Sequence, residues 1–457
     1  MSDKLAKIVV IGANHGGVAA TTTILDVYPG HEVVVFDADD TITYLGCGGA
    51  MYIGRQIDST DGLFYASQES LEAQGARVHL NTRVDSIDFD NKTVHAITHD
   101  GQPMAESYDK LILSTGSVPI PVRVEGAELQ GVFALKRFDD SMKLDAMLGR
   151  DDVHEVAVVG AGYIGVEFAE AIQRRGKKAR LFDIAETCLE NYFDKPLSAS
   201  MDKVLEAGGV ELHYGEPVVH LGSRNGSHVS SIRTAKGEYP ADLVVIAAGF
   251  APNVTLGMGN LELGVRGAYS VDRQQRTSDP DVFAIGDCAT VYNNATKAPD
   301  YIALATNALR SGIVAAHNAC GRNMQSAGVQ GSNGVGIFGY NMFSTGLNLA
   351  KAKALGFNAA CVDHVDEQKP EFIKSNNHPV NLRVVFDAET RRILGAQLAS
   401  YQDISAVIYF FSLAISQDLL IDELPLVDMM FMPHFNKPFN YITMAGLKSH
   451  KVGTAAR

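Results

Sequence analysis

Short apolar runs that each close on a glycine-rich turn are the first pattern along this chain. Lys7–Ile11 is such a run, and an apolar segment of helical length, Val18–Val27, follows its turn. Another run, Glu32–Phe36, comes next and closes on Asp37. Strand, helix and strand in this order predict a βαβ unit with parallel strands.

The turn of this first unit has the composition of a phosphate cradle. It contains Gly12, Gly16 and Gly17, and Asp37 lies about twenty residues further on, the spacing of a dinucleotide-binding fingerprint. Asn14 replaces the middle glycine of that fingerprint. A dinucleotide site is therefore predicted, and a tight strand-to-helix turn without a ligand is the alternative.

The same order recurs in the middle of the chain. Val156–Val159 is a predicted strand, the intact fingerprint Gly160-Ala161-Gly162-Tyr163-Ile164-Gly165 follows, and a helix is predicted over Val166–Arg174. The next strand, Ala179–Phe182, closes on Asp183. A carboxylate there accepts both ribose hydroxyls and repels a 2′-phosphate, which favours NADH over NADPH. Two units imply two dinucleotides, and FAD with NAD(H) is the expected pair.

Three smaller signals support this pairing. Predicted strands over Tyr108–Leu113 and Leu243–Ala248 end in glycine turns, and a third delivers Asp287 after Gly286. A carboxylate at that place can hold a ribitol hydroxyl of a flavin. An isolated Gly-Asp pair would otherwise be a plain turn with a helix cap.

From about Asn333 onward the pattern changes to short strands with turns between them. The predicted strands are Val335–Phe338, Asn341–Leu347, Ala359–His364, Leu382–Phe386 and Ile393–Ala399. Helices are predicted over Asp403–Gln417 and Asp422–Met432. An antiparallel sheet with apolar helices predicts an α+β domain that forms an interface. An ordinary third domain that buries its helices on its own sheet is the alternative.

One cysteine lies in a glycine-rich stretch between Tyr44 and Gly54. The opening of a helix is the expected setting for Cys47, because backbone N–H groups and the helix dipole stabilise a thiolate. Its flanking glycines would let the backbone approach a flat ligand. No second cysteine lies nearby, so the predicted chemistry cycles one thiol between thiolate and sulfenic acid. A small cysteine that fills a gap is the alternative.

Composition limits the partners and the compartment. The net charge of −14 disfavours nucleic acid and anionic membranes as partners. Five scattered cysteines do not make a disulfide framework, and the first residues lack the features of a signal peptide. The longest apolar runs, such as Ala406–Ile415, are about half a membrane span. A cytoplasmic protein in a reducing environment is expected.

Together these motifs resemble the pyridine nucleotide-disulfide oxidoreductase superfamily over nearly the whole chain. The lone Cys47 in Leu-Gly-Cys-Gly-Gly resembles its single-cysteine branch of NADH oxidases, NADH peroxidases and coenzyme A-disulfide reductases. His15 inside the first glycine turn is similar to the oxidase and peroxidase members. The resemblance implies two Rossmann-like domains, for FAD (1–119 and 252–332) and NAD(H) (120–251), and a C-terminal homodimerisation domain (333–457).

The resemblance also implies roles for individual residues. The residues implied to hold FAD are Gly12, Asn14, Gly16, Gly17, Asp37, Val84, Thr115, Gly116, Lys136, Asp287 and Ala305. Those implied to bind NADH are Gly160, Gly162, Tyr163, Ile164, Gly165, Glu167, Asp183, Tyr192 and Gly249. Cys47 and His15 are the implied catalytic pair, expected to converge on one face of the flavin, with Phe431–Asn440 reaching the partner's site in the dimer.

The activity that the resemblance implies is reduction of O2 to water by NADH through FAD and Cys47. His15 would manage protons or steady the thiolate; the alternative is a histidine that only caps the first helix. NADH peroxidase, which starts from H2O2, and coenzyme A-disulfide reductase are the alternative enzymes. An NADH-sensing flavoprotein scaffold is the alternative from another class, although a scaffold has no need of a thiol beside its flavin.

Overall fold

The computed structural model describes residues 5–452. The elements of its first stretch are β1 Lys7–Ile11, α1 His15–Val27, β2 Glu32–Phe36, α2 Gly46–Ile53, α3 Gln68–Ala73, β3 Arg77–His79, β4 Thr82–Asp88, β5 Thr93–Thr98, β6 Pro103–Ser107, β7 Lys110–Leu113 and β8 Ser117–Pro119. Those of the second are β9 Val132–Ala134, α4 Phe138–Leu148, β10 Glu155–Val159, α5 Tyr163–Arg174, β11 Lys178–Asp183, α6 Lys195–Ala207, β12 Glu211–Tyr214, β13 Val218–Ser223, β14 Val229–Thr234, β15 Glu238–Pro240, β16 Leu243–Ile246 and β17 Phe250–Pro252.

The remaining elements return to the first stretch and then build the C-terminal part. The returning ones are β18 Val282–Ala284, β19 Val291–Asn293, β20 Ala298–Asp300 and α7 Ala305–Ala319. The C-terminal ones are β21 Asn333–Ile337, β22 Tyr340–Gly346, α8 Leu349–Ala354, β23 Ala359–Glu367, β24 Pro379–Asp387, β25 Ile393–Ser400, α9 Ser405–Ser416 and α10 Tyr441–Ser449. Short 3₁₀ helices lie at Asp61–Leu63, Thr255–Gly257, Val265–Gly267, Gly286–Cys288 and Ile421–Leu426.

Each glycine-rich turn follows the central strand of a five-stranded parallel sheet. The strand order is β18-β7-β1-β2-β3 in the first sheet and β12-β11-β10-β16-β9 in the second. Parallel strands that are covered on both faces are apolar throughout, which explains why their sequences are continuous apolar runs and not alternating ones. Both predicted βαβ units are therefore present, and the predicted fold class is confirmed.

The two parallel sheets have similar companions. A three-stranded antiparallel sheet, β4-β5-β6, accompanies the first, and β13-β14-β15 accompanies the second. The chain crosses between the two units on β8 and β17, which pair with each other in an antiparallel ribbon, Ser117 opposite Pro252 and Pro119 opposite Phe250. The predicted limits 119/120 and 251/252 fall within or beside this ribbon, and they stay a prediction.

The C-terminal part is an antiparallel sheet with helices packed on it. Its strand order is β21-β22-β25-β24-β23, and α9 and α10 share its core with residues such as Phe386 and Phe411. All five strands lie where the apolar pattern predicts them, and α9 matches the predicted helix at 403–417.

One predicted helix, Asp422–Met432, is wrong. The chain there forms only the 3₁₀ helix Ile421–Leu426, which contains Pro425, a residue that cannot donate a helical hydrogen bond. The helix α10 packs directly on this turn, since a Cβ at Gly446 would lie 2.5 Å from Pro425 Cδ. The sequence prediction contained neither α10 nor α8.

Candidate active site

The first glycine turn brings β1 and α1 into very close contact. Gly12 has φ +102°, and a Cβ there would lie 2.2 Å from the carbonyl oxygen of Ser114. A Cβ on Gly17 would lie 1.8 Å from the carbonyl oxygen of Gly12. Asn14 is the N-cap of α1, and its Oδ1 accepts a hydrogen bond of 2.9 Å from the amide of His15. The alternative in which His15 caps the helix is therefore wrong.

The acid at the end of β2 is fixed beside this turn. Asp37 Oδ2 accepts a hydrogen bond of 2.6 Å from the Ala13 amide, and Oδ1 accepts one of 2.8 Å from the Asp39 amide. Burial raises the pKa of Asp37 to about 6, although these two amides act in the opposite direction. Each oxygen keeps lone pairs with which it can accept further hydrogen bonds.

The second unit repeats the arrangement with one difference. Asp183 accepts hydrogen bonds from the Ala161 amide and, at 2.8 Å, from the Ala185 amide. A Cβ on Gly165 would lie 1.7 Å from the carbonyl oxygen of Gly160, but one on Gly162 would meet nothing within 4 Å. The missing side chain at Gly162 leaves open space at the start of α5, where backbone N–H groups favour an anion.

A cavity of about 330 Å³ lies over this second turn. The residues that line it are Ala161, Gly162, Asp183, Ile184, Ala185, Thr187, Leu189, Glu190, Asn191 and Tyr192. The lining contains two carboxylates and no lysine or arginine. It is suited to a ligand that offers hydroxyl groups to Asp183 and unsuited to an additional phosphate there.

Residues predicted near a flavin meet where the two units join. Ser117 Oγ donates a hydrogen bond of 2.9 Å to Asp287 Oδ2 and accepts one of 3.0 Å from Lys136 Nζ. Burial lowers the pKa of the Lys136 ammonium, and the nearby Asp287 carboxylate opposes that shift. Lys136 also lies over the ring of Phe250, at 4.7 Å from its centroid. The sequence prediction did not include Ser117, which connects the two charges.

The other predicted flavin residues lie around this cluster. Thr115 Oγ1 donates to the carbonyl oxygen of Asn253 at 2.6 Å, and Gly116 has φ +67° with nothing within 4 Å of a Cβ. Ala305 begins α7, which packs on Gly286 beside Asp287. Val84, by contrast, buries its side chain in the core of the first unit, so only its backbone could contact a ligand.

Gly249 and Tyr163 lie at the corresponding end of the second unit. Gly249 follows β16 with φ +100°. The hydroxyl of Tyr163 donates to Asn333 Oδ1, and its ring contacts that of Tyr192 at a centroid distance of 4.4 Å. Ile164 is half-buried beside them on the first turn of α5.

Cys47 occupies the second position of α2 and is solvent-exposed. The backbone amides of Cys47 and Gly48 favour its thiolate, as a helix start should, yet the pKa of the thiol is raised. The largest cause is desolvation by the protein atoms around the sulfur, although the residue keeps solvent-exposed surface, and the Glu167 carboxylate on α5 is the next cause. Glu167 itself has a pKa raised to about 7, first by burial and then by Glu170. The Glu167 carboxylate of the second unit therefore acts electrostatically on the Cys47 thiol of the first unit.

The glycines beside Cys47 make room for neighbouring side chains. A Cβ on Gly48 would lie 2.2 Å from Leu63 Cδ2, and one on Gly49 would lie 2.5 Å from the hydroxyl oxygen of Tyr44. Packing against the protein thus requires glycine at both positions. The approach of a flat ligand to the backbone of this stretch stays a prediction.

His15 has a hydrogen-bond partner that the sequence did not suggest. Its Nδ1 is 2.8 Å from the hydroxyl oxygen of Tyr65, and the two rings are stacked with an interplanar angle of 5°. Burial lowers the pKa of the His15 imidazole; the Asp287 charge opposes this shift and the Lys136 charge adds to it. His15 and Cys47 make no hydrogen bond with each other in the described chain. Their predicted convergence stays a prediction.

Two models of known protein families match nearly the whole chain. The family model described as pyridine nucleotide-disulphide oxidoreductase matches residues 6–312, and the model of its dimerisation domain matches residues 334–440. The chain belongs to the pyridine nucleotide-disulphide oxidoreductase family. The family prediction is confirmed, and members of this family use FAD.

Individual relatives match the chain from end to end. An NADH oxidase of Streptococcus pyogenes is 50% identical over 455 residues, which cover 97% of this chain and 99% of the relative. The structure of a water-forming NADH oxidase from Lactobacillus brevis, bound to NADH, has a TM-score of 0.94 and 37% identity, with 98% of each chain covered. The structure of an engineered water-forming NADPH oxidase made from that enzyme, with NADPH bound, has a TM-score of 0.94 and 36% identity. The match covers 97% of this chain and 98% of that one. Its substitutions include Asp to Ala directly followed by Ala to Arg.

Two further features, helix length and cysteine bonding, are defined for residues 5–452. No helix within them is both long and apolar enough to cross a membrane. None of the five cysteines, all of which lie within residues 5–452, forms a disulfide bond there.

Proposed function

We propose that this protein is an FAD-dependent NADH oxidase that reduces O2 to water at a ratio of two NADH per O2. The observation that carries the proposal is the lone exposed thiol of Cys47 at the start of α2, where the two dinucleotide units meet. The full-length similarity to oxidases named for NADH and for water formation supports it.

The residues of the first unit fit an FAD. Gly116 leaves open space at a positive φ, and Asp37 has free lone pairs. Lys136 follows β9 of the second unit and reaches the junction of the two units, where its ammonium donates only to Ser117 among the described residues. The residues that would hold the flavin are Gly12, Asn14, Gly16, Gly17, Asp37, Thr115, Gly116, Lys136, Asp287, Ala305 and the backbone of Val84. FAD, when bound, would accept hydride from NADH and deliver electrons to O2.

The second unit would bind NADH and exchange it between turnovers. The open space at Gly162 would receive the pyrophosphate, and Asp183 would accept the ribose hydroxyls. The residues that would complete this site are Gly160, Tyr163, Ile164, Gly165, Glu167, Tyr192 and Gly249.

Cys47 and His15 would carry out the last part of the reaction. The Cys47 thiolate would attack a peroxide oxygen, so that the O–O bond breaks, the sulfur becomes a sulfenic acid and the other oxygen leaves as water after taking a proton. Two further electrons and a proton from the second NADH would return the sulfenic acid to thiolate and release a second water. His15 would supply or hold the proton.

The C-terminal domain would make the protein a homodimer. Its surface exposes large apolar side chains, which are Phe372, Tyr409, Leu413, Leu426, Met430, Phe431, Met432, Phe435 and Phe439. Exposed apolar patches of this kind mark interfaces. Several of them lie within or beside the segment 431–440, which we propose reaches the partner's active site. The absence of a disulfide bond among the five cysteines of the described residues supports a reducing compartment such as the cytoplasm.

The proposal is tested by the ratio of NADH to O2 consumed, together with an assay of H2O2. The wild-type protein should consume two NADH per O2 without releasing H2O2. Cys47→Ser should keep FAD but consume about one NADH per O2 and release H2O2 in proportion to the O2 consumed, because serine is not oxidised by peroxide. Cys361→Ser, the same change on the C-terminal sheet, is the control and should behave as wild type.

Three outcomes would contradict the proposal. Water formation by Cys47→Ser would make the thiol a structural neighbour. NADH turnover with added H2O2 but none with O2 would identify a peroxidase. Turnover of NADH only with a coenzyme A disulfide would identify a disulfide reductase.

A further inference from the structure

Tyr65 is the residue outside the predicted site that has the most direct contact with it. Its hydroxyl oxygen is 2.8 Å from His15 Nδ1, and its ring is parallel to the imidazole at a centroid distance of 5.7 Å. Fifty positions of sequence separate the two residues. His15 Nε2 makes no hydrogen bond within the described chain, so Tyr65 is the protein group that orients this ring.

The position of Tyr65 is itself fixed by a single buried hydroxyl. Thr43 Oγ1 accepts hydrogen bonds of 3.1 Å from the amides of both Tyr65 and Ala66, and donates one of 3.2 Å to the carbonyl oxygen of Ala66. The amide of Thr43 donates to the carbonyl oxygen of Ala13 in the first glycine turn at 3.2 Å. Tyr65 is thus tied to the same turn that carries His15.

The conformation of Thr43 is unusual for its type. Thr43 is fully buried and has φ +62°, a left-handed conformation that is costly for a β-branched residue. Backbone conformations of this kind persist where the surrounding contacts hold them, and they cluster at functional sites. The same segment also contacts the thiol helix, since the Leu45 amide donates to the carbonyl oxygen of Leu63 at 2.9 Å.

The direction of the hydrogen bond between Tyr65 and His15 is linked to the imidazole tautomer, because either the Tyr65 hydroxyl or a protonated His15 Nδ1 can be its donor. A neutral imidazole has one donor and one acceptor nitrogen, and a tyrosine hydroxyl that donates to Nδ1 leaves the proton on Nε2. Burial keeps both groups in their neutral forms, because it lowers the pKa of His15 and raises the pKa of Tyr65. The other charges that act on His15 are Asp287 and Lys136, which oppose each other.

We propose that Tyr65 is a positioning residue that holds His15 in the Nε2–H tautomer, so that His15 can donate this proton to the oxygen that leaves when Cys47 attacks peroxide. The inference rests on the proposed function for the peroxide step. The tautomer itself does not depend on that function.

The test compares Tyr65→Phe with a matched control. Phenylalanine keeps the stacked ring and removes the hydroxyl. Tyr28→Phe removes another tyrosine–histidine hydrogen bond, to His317 Nδ1 at 2.5 Å, from the C-terminal end of α1. Both variants and wild type are studied as FAD-loaded full-length protein, with ¹⁵N-labelled histidine for NMR and with the NADH-to-O2 ratio and H2O2 release measured from pH 5.5 to pH 8.5.

In wild type the ¹⁵N shifts should show His15 as the Nε2–H tautomer, and in Tyr65→Phe they should show loss of that preference. H2O2 release per NADH by Tyr65→Phe should rise about ten-fold or more above the wild-type background, because a positioned general acid typically contributes about 100-fold or more and the variant loses part of this contribution. Its pH dependence should follow the altered titration of His15. Tyr28→Phe should match wild type in both measurements.

Two results would overturn the inference. Wild type with the proton on Nδ1 would show that His15 donates to Tyr65 and not the reverse. An unchanged product ratio across the pH range in Tyr65→Phe, despite an altered tautomer, would remove the catalytic consequence. If wild type did not form water, the proposed function would fail, while the NMR comparison would still decide whether Tyr65 sets the tautomer.

Discussion

The two dinucleotide units share a backbone plan, and of the three positions at which their glycine turns differ, the middle one changes the space at the start of the helix. In both, the acid after the second strand accepts hydrogen bonds from the turn and from an amide two residues further on. In the first unit Asn14 fills the middle position and caps α1, whereas in the second Gly162 leaves that space open beside a cavity. From this difference we infer that the filled first turn would suit a cofactor that stays bound, and that the open second turn would suit a substrate that enters and leaves.

The largest expected effect, a change in nucleotide preference, comes from replacing Asp183, the acid of the second unit. Asp183→Ala with Ile184→Arg should shift the ratio of kcat/KM for NADPH over NADH by about 100-fold or more, because each hydrogen bond to a charged group is worth about 1.5–3 kcal/mol. Ile184 is the natural place for the arginine, since it lines the cavity with 77% of its surface exposed. Steady-state kinetics with both nucleotides check this.

The matching change in the first unit tests whether Asp37 holds FAD while Asp183 sets the preference for NADH. Asp37→Ala with Ala38→Arg should lower FAD content and leave the preference for NADH unchanged, because FAD carries no 2′-phosphate to recruit. A change in nucleotide preference from this first-unit variant would break the comparison.

The next effect tests the contact between the units at the thiol. The folded-state pKa of Glu167, about 7, is above its ordinary value of 4.5, so the folded protein keeps a proton there that the unfolded chain releases as the pH rises from 4.5 to 7. The stability of the wild type should therefore fall over this window. Glu167→Gln should be more stable than wild type at pH 8 by about 1–3 kcal/mol, and about equal near pH 4.5.

Thermal unfolding at the two pH values measures this difference. Glu206→Gln, a surface change on α6, is the control and should show no gain at pH 8. The same Glu167 variant should also react faster with iodoacetamide at Cys47, because the carboxylate that raises the pKa of the thiol is gone. Slower alkylation would show that Glu167 does not act on the thiol.

A smaller effect is expected when the second turn is given the middle residue of the first. Gly162 already has φ −75° and ψ −171°, which asparagine adopts, and it is the N-cap of α5. Gly162→Asn should therefore fold with equal or higher stability and keep FAD. Its KM for NADH should rise about ten-fold, the 1.4 kcal/mol cost of a moderate clash with the pyrophosphate. An unchanged KM would mean that the open space does not receive the nucleotide.

The smallest effect belongs to the reciprocal change. Asn14→Gly should lower the free energy of unfolding by only a few tenths of a kcal/mol, since glycine is tolerated at an N-cap. FAD content should stay near that of wild type, because glycine keeps the backbone of the turn with which Asn14 would hold the cofactor. A complete loss of FAD would show that the Asn14 side chain itself is needed to hold it.

The sequence predicts the parts of this molecule whose causes are local. Apolar runs, glycine spacing and the acids Asp37 and Asp183 locate both βαβ units, because turn geometry and strand burial depend on neighbouring residues. Cys47 is placed correctly at a helix start. Its raised pKa is not predictable, because that shift comes from burial and from Glu167, on a helix of the other unit.

Contacts between distant segments account for what the sequence does not reveal. Tyr65 meets His15 across fifty positions, and nothing near either residue indicates the pair. Gly48 and Gly49 are explained only by Leu63 and Tyr44, which fill the space beside them. The wrong helix after Asp422 has a local cause, since Pro425 lies within the predicted helix and cannot donate a helical hydrogen bond. Only the packing of α10 on this turn comes from a distant segment.

The ribbon of β8 and β17 makes the second unit an insertion with adjacent ends. Pro119 and Phe250 are opposite each other in this antiparallel pair, at the side where the chain enters and leaves the unit. Paired strands are about 5 Å apart, a gap that a two-residue hairpin turn spans. A short turn joining these two residues would excise the nucleotide module as a single cassette and leave the first unit continuous. The second unit could thus be exchanged as one continuous segment without a cut in the first parallel sheet.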